Sequence, residues 1–339
     1  MSKQQIWWLS GFLLLLLVTL CFYVVFERNR DIKDQPRVLN KSKQQAVGQV
    51  HLYLSKEDRV IQLPLETYLV GVVAAEMPAH FHLEALKAQS LAARTYIVRR
   101  KLTGERLDPN VWGPKAEHAD VSDTVQHQVY YMDQTLRKMW GKDYAWKIAR
   151  IRQAVSATQG KVITYQGQPI YAAFFSTSNG WTENSEDYYQ TKYPYLRSVP
   201  STWDRASPKY FHQQALTIEQ VVLQMEKKTG KRISLEVSKP STWFRILNKT
   251  AGQRVAKIRI GDQVFTGRQV REALQLPSSD FRMEIKADQV LFRTRGYGHG
   301  VGMSQWGANL MAHRGSKMEE IIAHYYRNVR IVKWQNDSS

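Results

Sequence analysis

The chain has 339 residues, enough for one large domain or two ordinary ones, and its formal net charge is +18. So large a positive charge requires an anionic partner, and nucleic acid, anionic lipid and the acidic polymers of a bacterial wall all qualify. The single cysteine, Cys21, lies in an apolar run. This excludes a disulfide scaffold, a cysteine nucleophile and a cysteine-ligated zinc site in the rest of the chain.

The N-terminal segment predicts one membrane helix. Residues 6–26 form an apolar run without a charged side chain, long enough to span a bilayer. A cleaved signal peptide is the alternative, but the run is long for one and no small-residue cleavage pattern follows. We therefore expect residues 1–26 to be a cytoplasmic stub and signal anchor, and the polar residues 27–48 to be a tether. Lys and Arg are more numerous after the helix than before it, which by the positive-inside rule favours a cytoplasmic location for the body of the protein. This orientation conflicts with a cytoplasmic stub at residues 1–26, and the function has to decide between the two.

The body, residues 49–339, is expected to be α+β, with a possible division into two subdomains near 205–240. Its strands are predicted as hairpins rather than alternating singly with helices, which argues against a doubly wound parallel sheet. Residues 103–133 are predicted to be a long irregular excursion. The predicted strands are 51–55, 59–63, 161–165, 170–175, 243–247, 255–260, 283–286, 290–294 and 330–334. The predicted helices are 64–76, 83–100, 144–158, 217–230, a short one after Thr266, 304–313 and 317–325.

The first helix carries a candidate general acid. Leu65, Leu69, Val72 and Glu76 follow one another at spacings of four, three and four, so they form one stripe on the core side. A carboxyl group desolvated there should have a raised pKa and hold its proton near neutral pH, as an acid catalyst requires. The alternative is a glutamate that frays into solvent beside Pro78.

The second helix places Lys87, Ser90 and Arg94 on one face. Two cations and a hydroxyl group near Glu76 could bind a polar, anionic substrate. The alternative is an ordinary solvated basic face.

A polar loop at 176–187, followed by Tyr188 and Tyr189, has a composition that suits a sugar. Its hydroxyl, amide and carboxylate groups can form the directional hydrogen bonds that polyols need, and aromatic side chains pack against pyranose rings. A polar surface turn is the alternative.

Residues 296–302 have glycine at every second position, which permits unusual backbone angles and close approach to a ligand. The spacing matches neither the Walker pattern nor the dinucleotide fingerprint. A lone His299 in such a turn is more typical of a structural hydrogen bond than of a metal ligand, and His118 and His127 also lack metal-ligand spacing.

Four segments together resemble the stage II sporulation protein D family, in the family's order and after an N-terminal anchor. They are VVAAEMP at 72–78, KAQSLAARTY at 87–96, STSNGWTENSED at 176–187 and GYGHGVGMSQWGA at 296–308. The resemblance implies a lytic transglycosylase that remodels septal peptidoglycan during engulfment in sporulation. It also implies that Glu76 is the catalytic acid and base, and that the glycan cleft is lined by Lys87, Arg94, Ser176, Ser178 and Tyr188.

The resemblance further implies partners and a location. The substrate would be peptidoglycan glycan strands, with a SpoIIP-like amidase and a SpoIIM-like membrane scaffold as protein partners. The catalytic domain would lie outside the cell membrane and face the septal wall. No cofactor is implied. Some relatives have cysteines in the region matching 120–130, where this chain has Ser122 and Gln126, so no metal is expected. Nucleic acid is the least favoured partner, because no binding motif accompanies the membrane helix.

The implied reaction cleaves the bond between N-acetylmuramic acid and N-acetylglucosamine without water and leaves a 1,6-anhydro ring, so one carboxylate serves in turn as acid and base. Two alternatives stay open. A hydrolytic muramidase would use Glu183, Glu186 or Asp187 as a second carboxylate. A non-catalytic scaffold would use its positive charge and the 176–187 loop only to attach to the wall.

Overall fold

The computed structural model describes residues 48–236 and 242–334. The predicted membrane anchor at 1–26 and the tether, up to residue 47, lie outside these ranges. Among the helices in the described ranges, none is both long and apolar enough to cross a membrane. The described chain combines small sheets of two or three strands with helices, which confirms the α+β class.

The helices of the described chain are, in order, α1 (Leu65–Glu76), α2 (Leu83–Thr103), α3 (Pro109–Trp112), α4 (Asp133–Trp140), α5 (Tyr144–Ala157), α6 (Ser185–Tyr189), α7 (Ile218–Thr229), α8 (Gly267–Ala273), α9 (Gln305–His313) and α10 (Met318–Tyr325). Short 3-10 turns lie at Pro114–Ala116, Gly141–Asp143 and Thr202–Ala206. Helices α7 and α8 each begin at a capping box, formed by Thr217 with Gln220 and by Thr266 with Gln269.

The strands of the described chain are β1 (Gln49–Leu54), β2 (Arg59–Pro64), β3 (Val121–Ser122), β4 (Lys161–Tyr165), β5 (Gln168–Pro169), β6 (Phe174–Phe175), β7 (Phe211–Thr217), β8 (Phe244–Lys249), β9 (Val255–Ile260), β10 (Gln263–Thr266), β11 (Phe281–Lys286), β12 (Gln289–Arg295), β13 (Met303–Ser304) and β14 (Arg330–Lys333). They form sheets in the orders β2-β1-β3, β14-β4-β5, β10-β9-β8, β11-β12-β7 and β13-β6. Most pairs are antiparallel, but β1 with β3 and β13 with β6 run parallel.

Two large hydrophobic cores organise the described chain. The main core is built largely from α1, α2 and α5, with β4, α9 and α10 packed around them. The buried residues of the second core all lie between Val221 and Phe292, on α7, α8 and strands β9 to β12. The second core is therefore formed by a continuous stretch of chain, after which residues 296–333 return to the main core. The subdomain boundary near 205–240 stays a prediction.

The predicted strand at 170–175 was wrong except for its last two residues, which form β6. On this side β4 pairs with β5 for two residues, and the chain then crosses to β6, which pairs with β13. The same residues cannot lie in both sheets, so 170–173 form the crossover between them. Seven elements were also missed: the helices α3, α4 and α6 and the strands β3, β7, β10 and β13. The crossover matters for function because it brings residue 176 beside the start of α9.

Candidate active site

Glu76 lies in the last turn of α1, and Pro78 explains why the helix ends there. A residue before proline is disfavoured in the helical conformation, and Met77 is extended at φ −125° and ψ 139°. Leu65, Leu69 and Val72 of the predicted stripe are buried, whereas Glu76 is partly buried. The carboxyl group is therefore neither sealed in the core nor frayed into solvent.

One wall of the Glu76 site is the loop that precedes α4, and Gly71 allows it to approach. A Cβ atom on Gly71 would lie 2.1 Å from the Tyr130 ring and 2.8 Å from the carbonyl oxygen of Tyr131. The loop therefore crosses α1 closely, with the Tyr130 ring stacked on Tyr68 at 5.8 Å between centroids. This crossing brings the Val129 N–H to Glu76, where it donates to Oε1 at 3.0 Å.

The opposite wall is the start of α9. Gln305 donates from Nε2 to Oε2 of Glu76 at 3.2 Å. The helix is anchored on both sides of this contact: Ser304 caps it by accepting from the Gly307 N–H, and Asn309 accepts from the His82 N–H at 2.8 Å. Gln305 is thus fixed to the turn between α1 and α2, across from Glu76.

Burial raises the pKa of Glu76, and the two hydrogen bonds from Val129 and Gln305 oppose that rise. Both donors are neutral, and within residues 48–236 and 242–334 no cation forms an ion pair with this carboxyl. A carboxyl in such surroundings is shifted toward its protonated form, yet both donors can stabilise the carboxylate once the proton has left. The arrangement suits a group that gives and then regains a proton.

The glycine-rich segment supports this site rather than touching it. Gly296, Gly298, Gly300 and Gly302 all have positive φ, between 78° and 109°. A Cβ on Gly302 would lie 2.0 Å from the Ala173 carbonyl oxygen, and one on Gly296 would lie 2.9 Å from the Asn179 amide nitrogen. The glycines therefore let this segment pass against residues 173–183, and it leads directly into Gln305.

Ser176 lies beside Gln305. It directly follows β6, and its carbonyl oxygen accepts from the Trp306 N–H at 3.0 Å. Lys87 lies on α2, 24% exposed, and forms an ion pair with Glu84 at 2.7 Å. Of the predicted cleft residues, Ser176 is thus linked to Glu76 through the start of α9, and Lys87 is partly exposed but bound to Glu84.

Arg94 and Ser178 point into the protein. The Arg94 side chain is 1% exposed; it binds Glu66 through Nε and Nη2, and also donates to Thr158 and to the Val155 carbonyl. Arg94 therefore joins α1, α2 and α5 rather than lying on a solvated face. Ser178 is fully buried, and its Oγ donates to the Ser201 carbonyl.

Tyr188 belongs to a second cluster of side chains, centred on His299. The Tyr188 and His299 rings lie 5.2 Å apart, Arg268 covers the Tyr188 ring at 4.4 Å, and Tyr189 contacts His299. His299 accepts from the Val301 N–H through Nδ1, and burial lowers its pKa to about 3, so the ring is neutral at physiological pH. The Phe175 ring, 5.7 Å from His299, connects this cluster to Ser176.

Two of the three carboxylates predicted as alternatives for a hydrolase are already paired with arginines. Glu183 is buried opposite Arg254 at 3.8 Å. Glu186 is bound by Arg197, whose hydrogen bonds lower its pKa to about 2. Asp187 is exposed. In the described parts of the chain, no three metal-ligating side chains are grouped as a metal site requires.

The sequence alone did not reveal Val129 and Gln305 as partners of Glu76. Gly71 was the available signal for Val129, because a glycine inside a helix often marks close approach of another backbone. Gln305 lies within the glycine-rich segment that the resemblance includes, but no pattern links it to a residue 229 positions earlier.

Comparisons with known proteins show which proteins the chain is similar to. A family model described as stage II sporulation protein matches residues 53–165. Stage II sporulation protein D of Bacillus subtilis (strain 168) is 44% identical over 282 residues, covering 83% of this chain and 78% of that protein. The Bacillus amyloliquefaciens protein of the same name is 42% identical over the same shares. An amidase enhancer of Bacillus subtilis (strain 168) is 27% identical, covering 78% of this chain and 40% of that protein. The family match contains Glu76, whereas Ser176, Tyr188 and Gln305 lie beyond its end.

Proposed function

Because the chain belongs to the stage II sporulation protein D family, we propose that it is a peptidoglycan lytic transglycosylase in which Glu76 is both acid and base. The observation that carries the proposal is the uncompensated carboxyl at the end of α1, whose pKa burial raises and which only neutral groups contact. A hydrolase needs a second carboxylate near the first. Two of the three candidates, Glu183 and Glu186, are already bound to arginines.

In the proposed reaction, Glu76 protonates the glycosidic oxygen as the bond from muramic C1 to that oxygen breaks. Positive charge then develops at C1 and the ring oxygen. The C6 hydroxyl oxygen forms a new bond to C1, and its proton passes to the Glu76 carboxylate. No water is consumed, and the acid is regenerated. Val129 and Gln305 hold both carboxyl oxygens in place while the charge of the group changes.

We assign the glycan-binding surface to Lys87, Ser176 and Tyr188, which are partly exposed. Arg94 and Ser178 are buried and bonded within the protein, so we give them a supporting role in the same region. The proposed setting is the outer face of the cell membrane, anchored by the apolar segment 6–26 and facing septal peptidoglycan. The similarity to a protein named amidase enhancer supports a functional link to an amidase, such as the SpoIIP-like enzyme, beside a SpoIIM-like scaffold.

Product analysis tests the proposal. Wild type, Glu76→Gln and the control Glu219→Gln, an exposed glutamate on α7, would each be incubated with glycan strands that keep or lack their stem peptides. We expect 1,6-anhydro-muramic ends from wild type and from the control, and none from Glu76→Gln. Reducing ends without the anhydro product would assign a hydrolytic muramidase. Unchanged wall remodelling by Glu76→Gln in cells would assign a scaffold.

A further inference from the structure

A cavity of about 510 Å³ lies at one end of the sheet β11-β12-β7, and its walls carry an excess of positive charge. Four arginines contribute to these walls, namely Arg205, Arg282, Arg293 and Arg295. Asp280 is the one carboxylate among the described residues that line the cavity, and its side chain is 1% exposed. None of these residues forms a hydrogen bond with Glu76, so the cavity is separate from the candidate active site.

The strand register brings three of these arginines onto one face of the sheet. Arg282 of β11 lies directly opposite Arg293 of β12, and Arg295 follows two residues later on β12. Side chains in these positions point to the same side of a sheet, and those directly opposite each other are close enough to interact. Like charges in such a pair are destabilising. An anion bound between the guanidinium groups removes this repulsion, so the register itself indicates an anion site.

Carboxylates of the protein pair with two of the four arginines. Asp280 accepts from Arg295 through Oδ2, at 3.0 Å from Nε and 2.9 Å from Nη2. Glu284 pairs with Arg293 at 3.0 Å, but it also pairs with Lys286 at 3.2 Å. One carboxylate is thus shared between two cations, and the face of the sheet stays positively charged.

Arg205 and Arg282 have no such partner. Both side chains are exposed, and within residues 48–236 and 242–334 they form no ion pair and no side-chain hydrogen bond. Arg205 comes from the 3-10 turn Thr202–Ala206, whereas Arg282 comes from β11. Two separate elements therefore bring unpaired guanidinium groups to one cavity, where both can donate to a single anionic ligand.

The shape of the site favours a phosphate-bearing chain. A phosphodiester group has its oxygens in a tetrahedral arrangement, so guanidinium groups from more than one side can donate to it. A flat bilayer contacts protruding side chains, whereas these arginines line a cavity. Phe211 lies directly opposite Arg295 in the register and is 72% exposed, which places an apolar surface beside the cations. Alternating phosphate and short hydrocarbon groups match this pattern.

We propose that this cavity binds the phosphodiester groups of an anionic polyol-phosphate polymer of the cell wall. Arg205 and Arg282 donate to the phosphate oxygens, and Phe211 packs against the carbon atoms of the polyol. The choice of a wall polymer rests on the proposed function, which puts the domain outside the cell membrane. The site goes beyond the proposed reaction, because no bond is made or broken in it and Glu76 takes no part. It also gives a role to part of the net charge of +18.

Binding of a labelled poly(glycerol phosphate) oligomer to the full-length protein in neutral detergent tests the proposal. The double variant Arg205→Gln/Arg282→Gln removes the two unpaired cations from exposed positions. We expect this variant to bind the polymer at least about tenfold more weakly than wild type, as the loss of two charge-assisted hydrogen bonds allows. Its affinity should also depend less steeply on salt concentration, because fewer phosphates are neutralised and fewer counterions are released.

A matched double variant separates the cavity from net charge. Arg152→Gln/Arg330→Gln removes two exposed arginines, on α5 and β14, and so has the same net charge as the first variant. It should bind the polymer like wild type. Equal losses in the two variants would overturn the site and assign a nonspecific attraction. Tighter binding of polyglutamate than of the phosphate polymer by wild type would also overturn it, and would assign a carboxylate ligand.

Amide hydrogen exchange in nanodiscs tests a lipid source of phosphate. With the full-length protein in phosphatidylcholine discs, addition of the polymer should slow exchange in residues 205–213. Phosphatidylglycerol discs without polymer should leave that exchange unchanged. Protection by phosphatidylglycerol but not by the polymer would overturn the assignment to a wall polymer and would assign the cavity to a membrane surface.

The phosphate site and the reaction can fail separately. If wild type produces anhydro ends but Arg205→Gln/Arg282→Gln binds the polymer like wild type, the reaction stands and the phosphate site falls. If that variant loses polymer binding while wild type gives no anhydro ends, the phosphate site stands and the transglycosylase falls.

Discussion

Two glutamates in the described ranges, the partly buried Glu76 and the buried Glu183, differ in one respect. Burial raises the pKa of both Glu76 and Glu183. Glu183 is opposite Arg254 and also accepts from Thr250 and Gly252, whereas Glu76 has only the neutral donors of Val129 and Gln305. The difference teaches that burial alone does not identify a proton donor. A desolvated carboxyl with no nearby cation tends to keep its proton. A desolvated carboxyl paired with a cation instead joins two parts of the fold.

Replacing the glutamate by glutamine should therefore affect the two sites differently: activity is lost at Glu76, and stability is lost at Glu183. The largest effect is expected at Glu76. Glu76→Gln removes the proton donor, so turnover of glycan strands should fall by about 10²- to 10⁴-fold. The variant should not be less stable at pH 7. The folded pKa of Glu76 is raised above the unfolded value of about 4.3, so wild type loses stability as pH rises from that value through the folded pKa, and the glutamine does not titrate.

Thermal unfolding at two pH values checks the stability part of this prediction. At pH 7 we expect the melting temperature of Glu76→Gln to equal or exceed that of wild type, and below about pH 4 we expect the difference to vanish. A clear loss of stability at pH 7 would mean that a cation compensates the Glu76 carboxylate in solution.

Glu183→Gln should have the second-largest effect, on stability. The substitution removes the one ion pair that the described residues form with buried Arg254, and breaking a buried pair typically costs about 3 kcal/mol. Urea unfolding of this variant beside Glu219→Gln, whose side chain is exposed, measures the difference. An unfolding midpoint equal to that of the control would show that Arg254 does not depend on Glu183, and would remove the contrast with Glu76.

The sequence predicted the first of these sites better than the second, for physical reasons. A proline stop and a helical stripe are local signals, so the place of Glu76 at the end of α1 followed from residues 65–78. The starts of α7 and α8, predicted at Thr217 and after Thr266, depended on equally local signals. The partners of Glu76 lie 53 and 229 residues away along the chain. The partners of Glu183 lie 67 to 71 residues away. Such pairings depend on how the elements pack, which one sequence does not specify.

The same limit explains Arg94 and the strand predicted at 170–175. Helical spacing placed Lys87, Ser90 and Arg94 on one face but could not show that Ser90 and Arg94 are buried, with Arg94 bonded to Glu66 and Thr158. The apolar residues after Pro169 suited a strand, but the chain leaves β4 to pair with β13, a partner more than 120 residues away.

Arg94 provides a third test, with a smaller expected effect. Arg94→Met keeps the length of the side chain and removes its bonds to Glu66, Thr158 and Val155. Because Glu66 is 32% exposed and can be hydrated, the loss of stability should be about 2 kcal/mol, below that of Glu183→Gln. Arg137→Met, which breaks an exposed pair with Asp133, should cost less than about 0.5 kcal/mol. Equal losses in the two variants would show that the burial of Arg94 does not matter.

Gln305 gives the smallest and most specific test, because it acts on Glu76 without replacing it. Its amide stabilises the charged carboxylate, so Gln305→Leu should raise the pKa of Glu76 further. Activity that needs protonated Glu76 falls as pH rises through that pKa. The alkaline limb of kcat/KM should therefore move to higher pH by about 0.5 to 1 unit, the equivalent of one hydrogen bond. Gln159→Leu, on an exposed turn residue, should leave the limb in place. A limb that moved to lower pH, or a loss of rate at every pH with no shift, would show that Gln305 positions substrate rather than the proton on Glu76.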